Sequence, residues 1–398
     1  MTRTIVELHA LQTVPPSNLN RDDTGAPKTA VYGGVRRARV SSQSWKRATR
    51  RAFHELLDPS ELGVRTRRVA ELLAGRIRGL DDSITETEAW DLAAETVRAA
   101  TGTKVEPPKR KASAKEGGST PPPEAKYLLF FSARQLDGLA ELAVKGRDDI
   151  KAFFKDSGNK AEAKQIANSR HSVDIALFGR MVADGVDINV DAAAQVAHAI
   201  SVHQAESESD YYTAVDDHKE REDDDAGAGM IGTVEFTSAT LYRYAAVDVD
   251  LLSRNLGKGL REDEPLTEPV RRAVEAFIQG FITSLPTGKL NTFGNHTLPD
   301  AVVVKIRSTR PINFVSAFEE PCRPDQGGGG HMREACERLA RYIPEIERAY
   351  GVTDDTKTWV LRVGPNTTAL AGLGTEVSLP ELVKAVGAEV AARQNDES

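Results

Sequence analysis

The feature that most restricts the fold is a change of hydrophobic period partway along the chain. From Leu62 to Val202 apolar residues recur mainly at helical spacing, in Ala-rich segments such as TETEAWDLAAETVRAA, SARQLDGLAELAVKG and DAAAQVAHAISVH. Strand patterns lie on both sides. Thr4 to Gln12 (TIVELHALQ) reads as a buried strand, and after Gly229 the chain alternates with Val234, Phe236, Tyr242 and Tyr244 on one side. Then come a helix (EPVRRAVEAFIQGFITSL), a strand (DAVVVKIRS), a Gly-rich break at Gly327 to Gly330, a helix after Met332, a strand at KTWVLRV and a C-terminal helix. That order predicts an α+β lobe carrying a second, helical lobe, and 398 residues exceed one ordinary core.

Within the helical stretch, Lys104 to Lys126 (KVEPPKRKASAKEGGSTPPPEAK) has too few apolar residues to bury a core and reads as a disordered surface insertion. No apolar run approaches the roughly 20 residues of a membrane span, so no membrane partner is expected. The start, MTRTIVELHALQ, lacks the basic-then-apolar order of a signal peptide. Cys322 and Cys336 are too few and too oddly spaced for a disulfide framework or a zinc site, so a reduced, cytoplasmic setting is expected.

Charge is distributed unevenly. The formal net charge is −7, yet between Thr24 and His54 stand eight basic residues (Lys28, Arg36, Arg37, Arg39, Lys46, Arg47, Arg50, Arg51) and no acidic one. Localised positive charge is what phosphate binding needs. Wound at about 100° per residue behind a Ser41 or Ser42 N-cap, the segment SSQSWKRATRRAF puts Gln43, Lys46, Arg47, Arg50 and Arg51 on one arc. Trp45, Ala48, Thr49, Ala52, Phe53 and Leu56 take the other. Free N–H groups at the helix start suit an anionic oxygen. A solvated amphipathic helix is the plainer reading, but such faces usually mix signs, and the loop before this one is acid-free.

The same residues carry a resemblance. PPSNLNRDD, KTAVYGG (Lys28 to Gly34) and RVSSQSWKRA closely resemble the N-terminal signature of the CasC family, the backbone subunit of the type I-E CRISPR surveillance complex called Cascade. VDIALFGRM (Val173 to Met181), AHAISVHQAESESDYYTAVDD (Ala197 to Asp217) and IGTVEFTSATLYRYA (Ile231 to Ala245) match in the same order. After about Leu260 the likeness is one of arrangement.

The resemblance implies a right-hand shape: a palm built on a modified RNA-recognition-motif (ferredoxin-like) sheet, helical fingers and a β-hairpin thumb. The palm would take residues 1–57, the fingers 58–189 with the insertion 104–126, a palm helix and the thumb hairpin 190–245, and further palm 246–398. The sheet carries no recognisable aromatic ribonucleoprotein motif, so composition alone does not point there. The implied function is a non-catalytic filament subunit coating the CRISPR guide RNA. Its partners would be that RNA, target DNA paired to it, further copies of the chain, the large and small Cascade subunits, and the two subunits at the guide's ends. Arg21, Lys28, Lys46, Arg47 and Arg50 would neutralise phosphates, Ser41, Ser42 and Gln43 would hydrogen-bond them at the helix start, and Asn20, Arg39 and His203 complete the set expected along the RNA backbone.

A second element has the opposite sign. Glu206 to Asp225 holds ten acids and two bases around Tyr211, Tyr212, Thr213, Ala214 and Val215. Such a loop repels phosphates, but its apolar patch can wedge between bases, as the resemblance implies for the thumb. The plainer reading packs both tyrosines on the palm. Met181 is a second wedge candidate by family match, while the residues alone would place it in a core.

Other motifs lead nowhere. Gly227, Gly229 and Gly232 (GAGMIG) fit G-x-G-x-x-G, but an acidic run precedes them and a strand follows. Thr287, Gly288 and Lys289 lack the earlier glycine of a phosphate loop. The eight histidines make no metal-ligand spacing and read as structural; His198 and His203, on the predicted helix, stand about 140° apart. No cofactor or metal is expected. The rival reading is an RNA-cleaving backbone protein using Asp22 or Asp23, as related type III proteins use a loop aspartate, although an Asx turn or an Arg21 ion pair explains both acids. A stand-alone RNA-recognition module is the third.

Overall fold

The computed structural model describes residues 3–108, 121–182, 185–214, 230–257, 264–265, 267–323, 330–352 and 355–396. At its centre lies β1 (Ile5–Ser17). It pairs antiparallel with β11 (Met230–Asp248), Ile5 opposite Asp248, and on its other side with β12 (Ala301–Arg307), Ile5 opposite Arg307. β13 (Lys357–Arg362) and β14 (Thr375–Glu376) continue beyond β12. β9 (Ala199–Ser201), β3 (Val35–Val40) and β2 (Thr29–Tyr32) continue beyond β11, giving the order β14-β13-β12-β1-β11-β9-β3-β2. β8 (Ala194–Val196) and β10 (Glu208–Ala214) also pair with β11. The sheet is mixed because β14 runs parallel to β13.

Both faces of β1 are covered, which is why it reads as a nearly continuous apolar run. Val6, Leu8 and Ala10 join a core with Leu252 of α8 (Val249–Leu256), Phe277 of α9 (Thr267–Thr283) and Val386 of α12 (Leu379–Asp396). Ile5 and Leu11 join Leu339 and Ile343 of α11 (Met332–Tyr350). Glu7 and His9 also alternate onto the α11 face: Arg307 donates to Glu7 Oε2 at 3.0 Å and to Glu347 Oε1 at 2.9 Å, and His9 Nδ1 lies 2.9 Å from the Tyr242 hydroxyl while its buried Nε2 stands 3.7 Å from Glu7 Oε2. Buried charge is tolerated only when paired in this way.

The helical lobe has a core of its own. Leu73 and Ile77 of α2 (Val69–Leu80), Leu92 and Val97 of α3 (Glu86–Thr101), Leu139 of α4 (Ala133–Lys145) and Ala163 of α6 (Ser157–Ala167) meet there. Capping boxes start two of these helices, Thr85 with Glu88 and Ser132 with Gln135. The short α5 (Ile150–Phe153) and the pair β4 (Gly63–Thr66) and β7 (Leu129–Ser132) complete the lobe, whereas α7 (Val173–Phe178) sends Val173, Ala176 and Leu177 into the sheet core with Val6 and Leu8.

Two expectations change. The segment DAAAQVAHAISVH is not a helix: Ala194 to Val196 and Ala199 to Ser201 are strands, paired with β11 at Ala245↔Val196 and Leu241↔Ser201, and with β3 at Val40↔Ala199. Its alanines favour helix, but their small side chains also fit under a crowded sheet, and pairing across the sheet outweighs local preference. The expected palm helix within 190–245 is therefore strand. The insertion 104–126 is ordered at both ends, β5 (Val105–Glu106) pairing with β6 (Glu124–Ala125), while residues 109–120 lie outside the described set.

Candidate nucleic-acid interface

Helix α1 (Ser42–Leu56) is fixed by what lies beneath it. Trp45, Thr49 and Phe53 are buried, and the fully buried Arg243 guanidinium stacks 3.8 Å from the Trp45 ring and 4.5 Å from the Phe281 ring. Arg243 also donates to Gln12 Oε1 at 2.6 Å and to the Phe281 carbonyl. This sandwich turns the opposite face outward, exposing Gln43, Arg47 and Arg51, with Lys46 half-buried and its amine pKa lowered by that burial. Ser41 is the N-cap, its hydroxyl accepting the Ser44 N–H at 3.3 Å, so Ser42 and Gln43 are the groups left facing outward at the helix start.

A chain of hydrogen bonds extends this surface along the preceding loop. Asn20 Oδ1 accepts the Ser41 N–H at 2.9 Å, the Asn20 carbonyl accepts the Lys28 N–H at 2.9 Å, and the Lys28 carbonyl accepts the Arg39 N–H at 2.9 Å. Arg39 donates to the Thr29 carbonyl and, at 3.1 Å, meets Nδ1 of His198. The hairpin β2–β3 closes through Gly33 and Gly34, both at positive φ (60° and 77°), the conformation of a two-residue type I′ turn. Asp22 closes the loop itself: its Oδ1 accepts the Thr24 hydroxyl at 2.7 Å and the Thr24 and Ala26 N–H groups at 2.9 and 3.0 Å, and the Thr24 hydroxyl foremost holds its pKa below the ordinary carboxylate value. Asp23 beside it is exposed.

Pairing sorts the basic residues. Arg50 donates to Asp174 at 2.8 Å and to the Gly63 carbonyl at 3.2 Å, with its guanidinium 4.5 Å from the Phe130 ring, so it ties α1 to the helical lobe. Arg37 is buried and satisfied by the carbonyls of Tyr32, Ser201, Phe318 and Glu319. Arg37 is thus committed inside the protein, and Arg50, partly exposed, already has a carboxylate partner. Among the described residues, Arg21, Lys28, Lys46, Arg47 and Arg51 have no carboxylate partner.

One wall of the site was not legible in sequence. The loop Leu285 to Gly288 faces α1 across a groove of about 200 Å³ lined by Ser44, Arg47, Arg51 and Thr287. A Cβ on Gly288 would lie 2.3 Å from the Leu19 carbonyl oxygen, so glycine permits this approach. The only sequence signal is the pair of small residues in PTGK, which lacks the earlier glycine of a phosphate loop.

The wedge candidates point into solvent. Tyr211 is 61% and Tyr212 43% exposed on β10, Thr213 is exposed, and Val215 lies outside the described residues. Gly232 faces the Tyr212 ring across the hairpin, while Gly227 and Gly229 lie outside the described set. Met181 is 83% exposed rather than in a core, because Arg180 beside it is anchored by the carbonyls of Ile188 and Ala167 at 2.9 and 2.8 Å. His203, expected at the RNA, has both ring nitrogens engaged within the protein. Nδ1 donates to the Gln204 carbonyl at 2.6 Å and Nε2 accepts the Thr240 N–H at 3.1 Å, with burial pushing its pKa down to about 4.

Cys322 and Cys336 are free and buried. Among the described residues no group of three or more His, Cys, Asp or Glu could hold a metal ion, and no helix is long and apolar enough to cross a membrane.

No curated protein sequence matches this chain. Solved structures do. A chain of a "CRISPR RNA-guided surveillance complex, pre-nicking" is 33% identical with a TM-score of 0.78, covering 97% of this chain and 100% of that one. A chain of a "CRISPR RNA-guided surveillance complex" is 31% identical with a TM-score of 0.70, covering 97% and 99%. The model of the CT1975-like protein family matches residues 6–385, nearly the whole mixed sheet and helical lobe just described, and the chain belongs to that family.

Proposed function

We propose that this protein is a non-catalytic, RNA-binding backbone subunit that multiplies along a CRISPR guide RNA in a Cascade complex of type I-E, serving recognition of invading DNA. The observation that carries this reading is the uncompensated face of Lys28, Lys46, Arg47 and Arg51 beside the outward Ser42 and Gln43. Five cations without carboxylates, Arg21 included, repel one another unless an anion joins them. These groups meet phosphates and not base edges, as a guide of arbitrary sequence requires. The sheet lobe corresponds to a palm of modified RNA-recognition-motif type, the helical lobe to fingers and the β10–β11 hairpin to a thumb. Outward Met181, Tyr211 and Tyr212 are suited to displacing nucleotides and reaching the next copy. Target DNA would be read by pairing with the guide, and the large, small and guide-end subunits would complete the assembly. Asp22, spent on closing its own loop, supports a role without cleavage.

The test is stoichiometry on RNA of graded length, with sequencing of copurified RNA. Copies per RNA should rise in proportion to length, and copurified RNA should be repeat-derived. A fixed one-to-one complex on every length excludes coating.

A further inference from the structure

By spacing alone His198 is a structural histidine, but its geometry points elsewhere. It sits between β8 and β9, exposed at the sheet surface, with Arg39 Nη1 3.1 Å from its Nδ1. A guanidinium can only donate, so Nδ1 accepts, the ring is neutral and its proton is on Nε2. Among the described residues Nε2 has no partner. Partial burial, then Arg39 on β3, then Lys28 just before β2, hold its pKa below the ordinary value, and no carboxylate counters them. An exposed neutral imidazole whose Nε2–H has no partner among the described residues thus stands beside Arg39 and within the field of Lys28, a grouping of donors and positive charge that suits an anionic oxygen.

Resting on the RNA-binding reading above, we propose that His198, Arg39 and Lys28 form a further phosphate site on the RNA path, in which the ring donates through Nε2 and gains a second proton when the phosphate is bound. That proton is taken up from the hydronium or buffer acid in solution and goes to Nδ1, which releases the Arg39 N–H to turn to the phosphate. Binding is then proton-linked, and the linkage belongs to one side chain.

The experiment measures affinity of the full chain for oligouridylate, whose base does not titrate in the range used, at about pH 7.5 and about pH 5.5. The wild type should tighten by about three- to tenfold on acidification. His198→Gln, which keeps one donor but cannot gain a proton, should bind more weakly at both values and no longer respond to pH. The Cε1–H resonance of His198 should titrate at higher pH when oligouridylate is added. RNA binding that tightens equally in His198→Gln, or a His198 titration unmoved by RNA, overturns this inference alone. A chain that binds no oligouridylate at either pH overturns it together with the proposed function.

Discussion

Arg47 and Arg50 stand three residues apart on α1, and one of them is free to meet an anion. Arg47 faces the groove beside Thr287, while Arg50 is held by Asp174 and Gly63. Lys46→Glu with Arg47→Glu should therefore weaken RNA binding and lower the slope of log affinity against log salt by about 2, with the fold intact. An unchanged slope across a salt titration would falsify the phosphate assignment. Histidine protonation belongs to the same scale. His203 and His171 are both pushed down to about 4 by burial, below the ordinary 6.5. Their neutral forms therefore stabilise the fold above about pH 6.5, and this is lost as pH falls from about 6.5 to about 4, by about 3 kcal/mol each. Urea unfolding at stepped pH should show stability dropping through that window, and a flat profile is the contrary result.

At the scale of elements, Asp174 is the node of the joint between the lobes. Its carboxylate accepts from Arg50 Nε at 2.8 Å, the Gly63 N–H at 2.9 Å, the Ser172 hydroxyl at 2.6 Å and the Ile175 N–H at 3.1 Å. Asp174→Ala strands four donors, one of them charged, and should cost about 3 to 5 kcal/mol of stability. Chemical denaturation checks this, and a loss within about 0.5 kcal/mol would show the joint to be held elsewhere. The sheet side of α1 depends on Trp45, the upper slice of the Trp45–Arg243–Phe281 stack. Trp45→Ala should cost about 3 to 5 kcal/mol and loosen the cationic face, seen as faster amide exchange along α1. The amphipathic face of α1 was legible because one helix repeats at one period. The Ala194 to Ser201 strands were not, since alanine's local preference says helix and their partners lie about forty residues away or more on β11 and β3.

At the scale of the whole molecule, the cations and the exposed apolar side chains occupy separate parts: the strip on α1 and its loop, the tyrosines on a hairpin and Met181 on the helical lobe. If copies stack along one RNA, Met181→Ser with Tyr211→Ser should reduce copies per long RNA while single-copy affinity for a short RNA changes by less than about threefold. Native mass spectrometry on short and long RNA separates the two effects. Equal copy numbers for variant and wild type would remove the wedges from assembly.

The sequence by itself determined the mixture of strand and helix, the acid-free basic run and the outward side of α1, because each is written in local period, composition or charge. The motif resemblance supplied a ligand. Tertiary structure decided which cations remain free. Arg37 and Arg50 match Arg47 in chemistry and neighbourhood, but one is buried among carbonyls and the other meets Asp174, 124 residues along the chain. It also brought the Leu285 to Gly288 loop against Leu19 and set His198 beside Arg39. Those outcomes depend on which distant segments pair, and no local pattern encodes a partner's position.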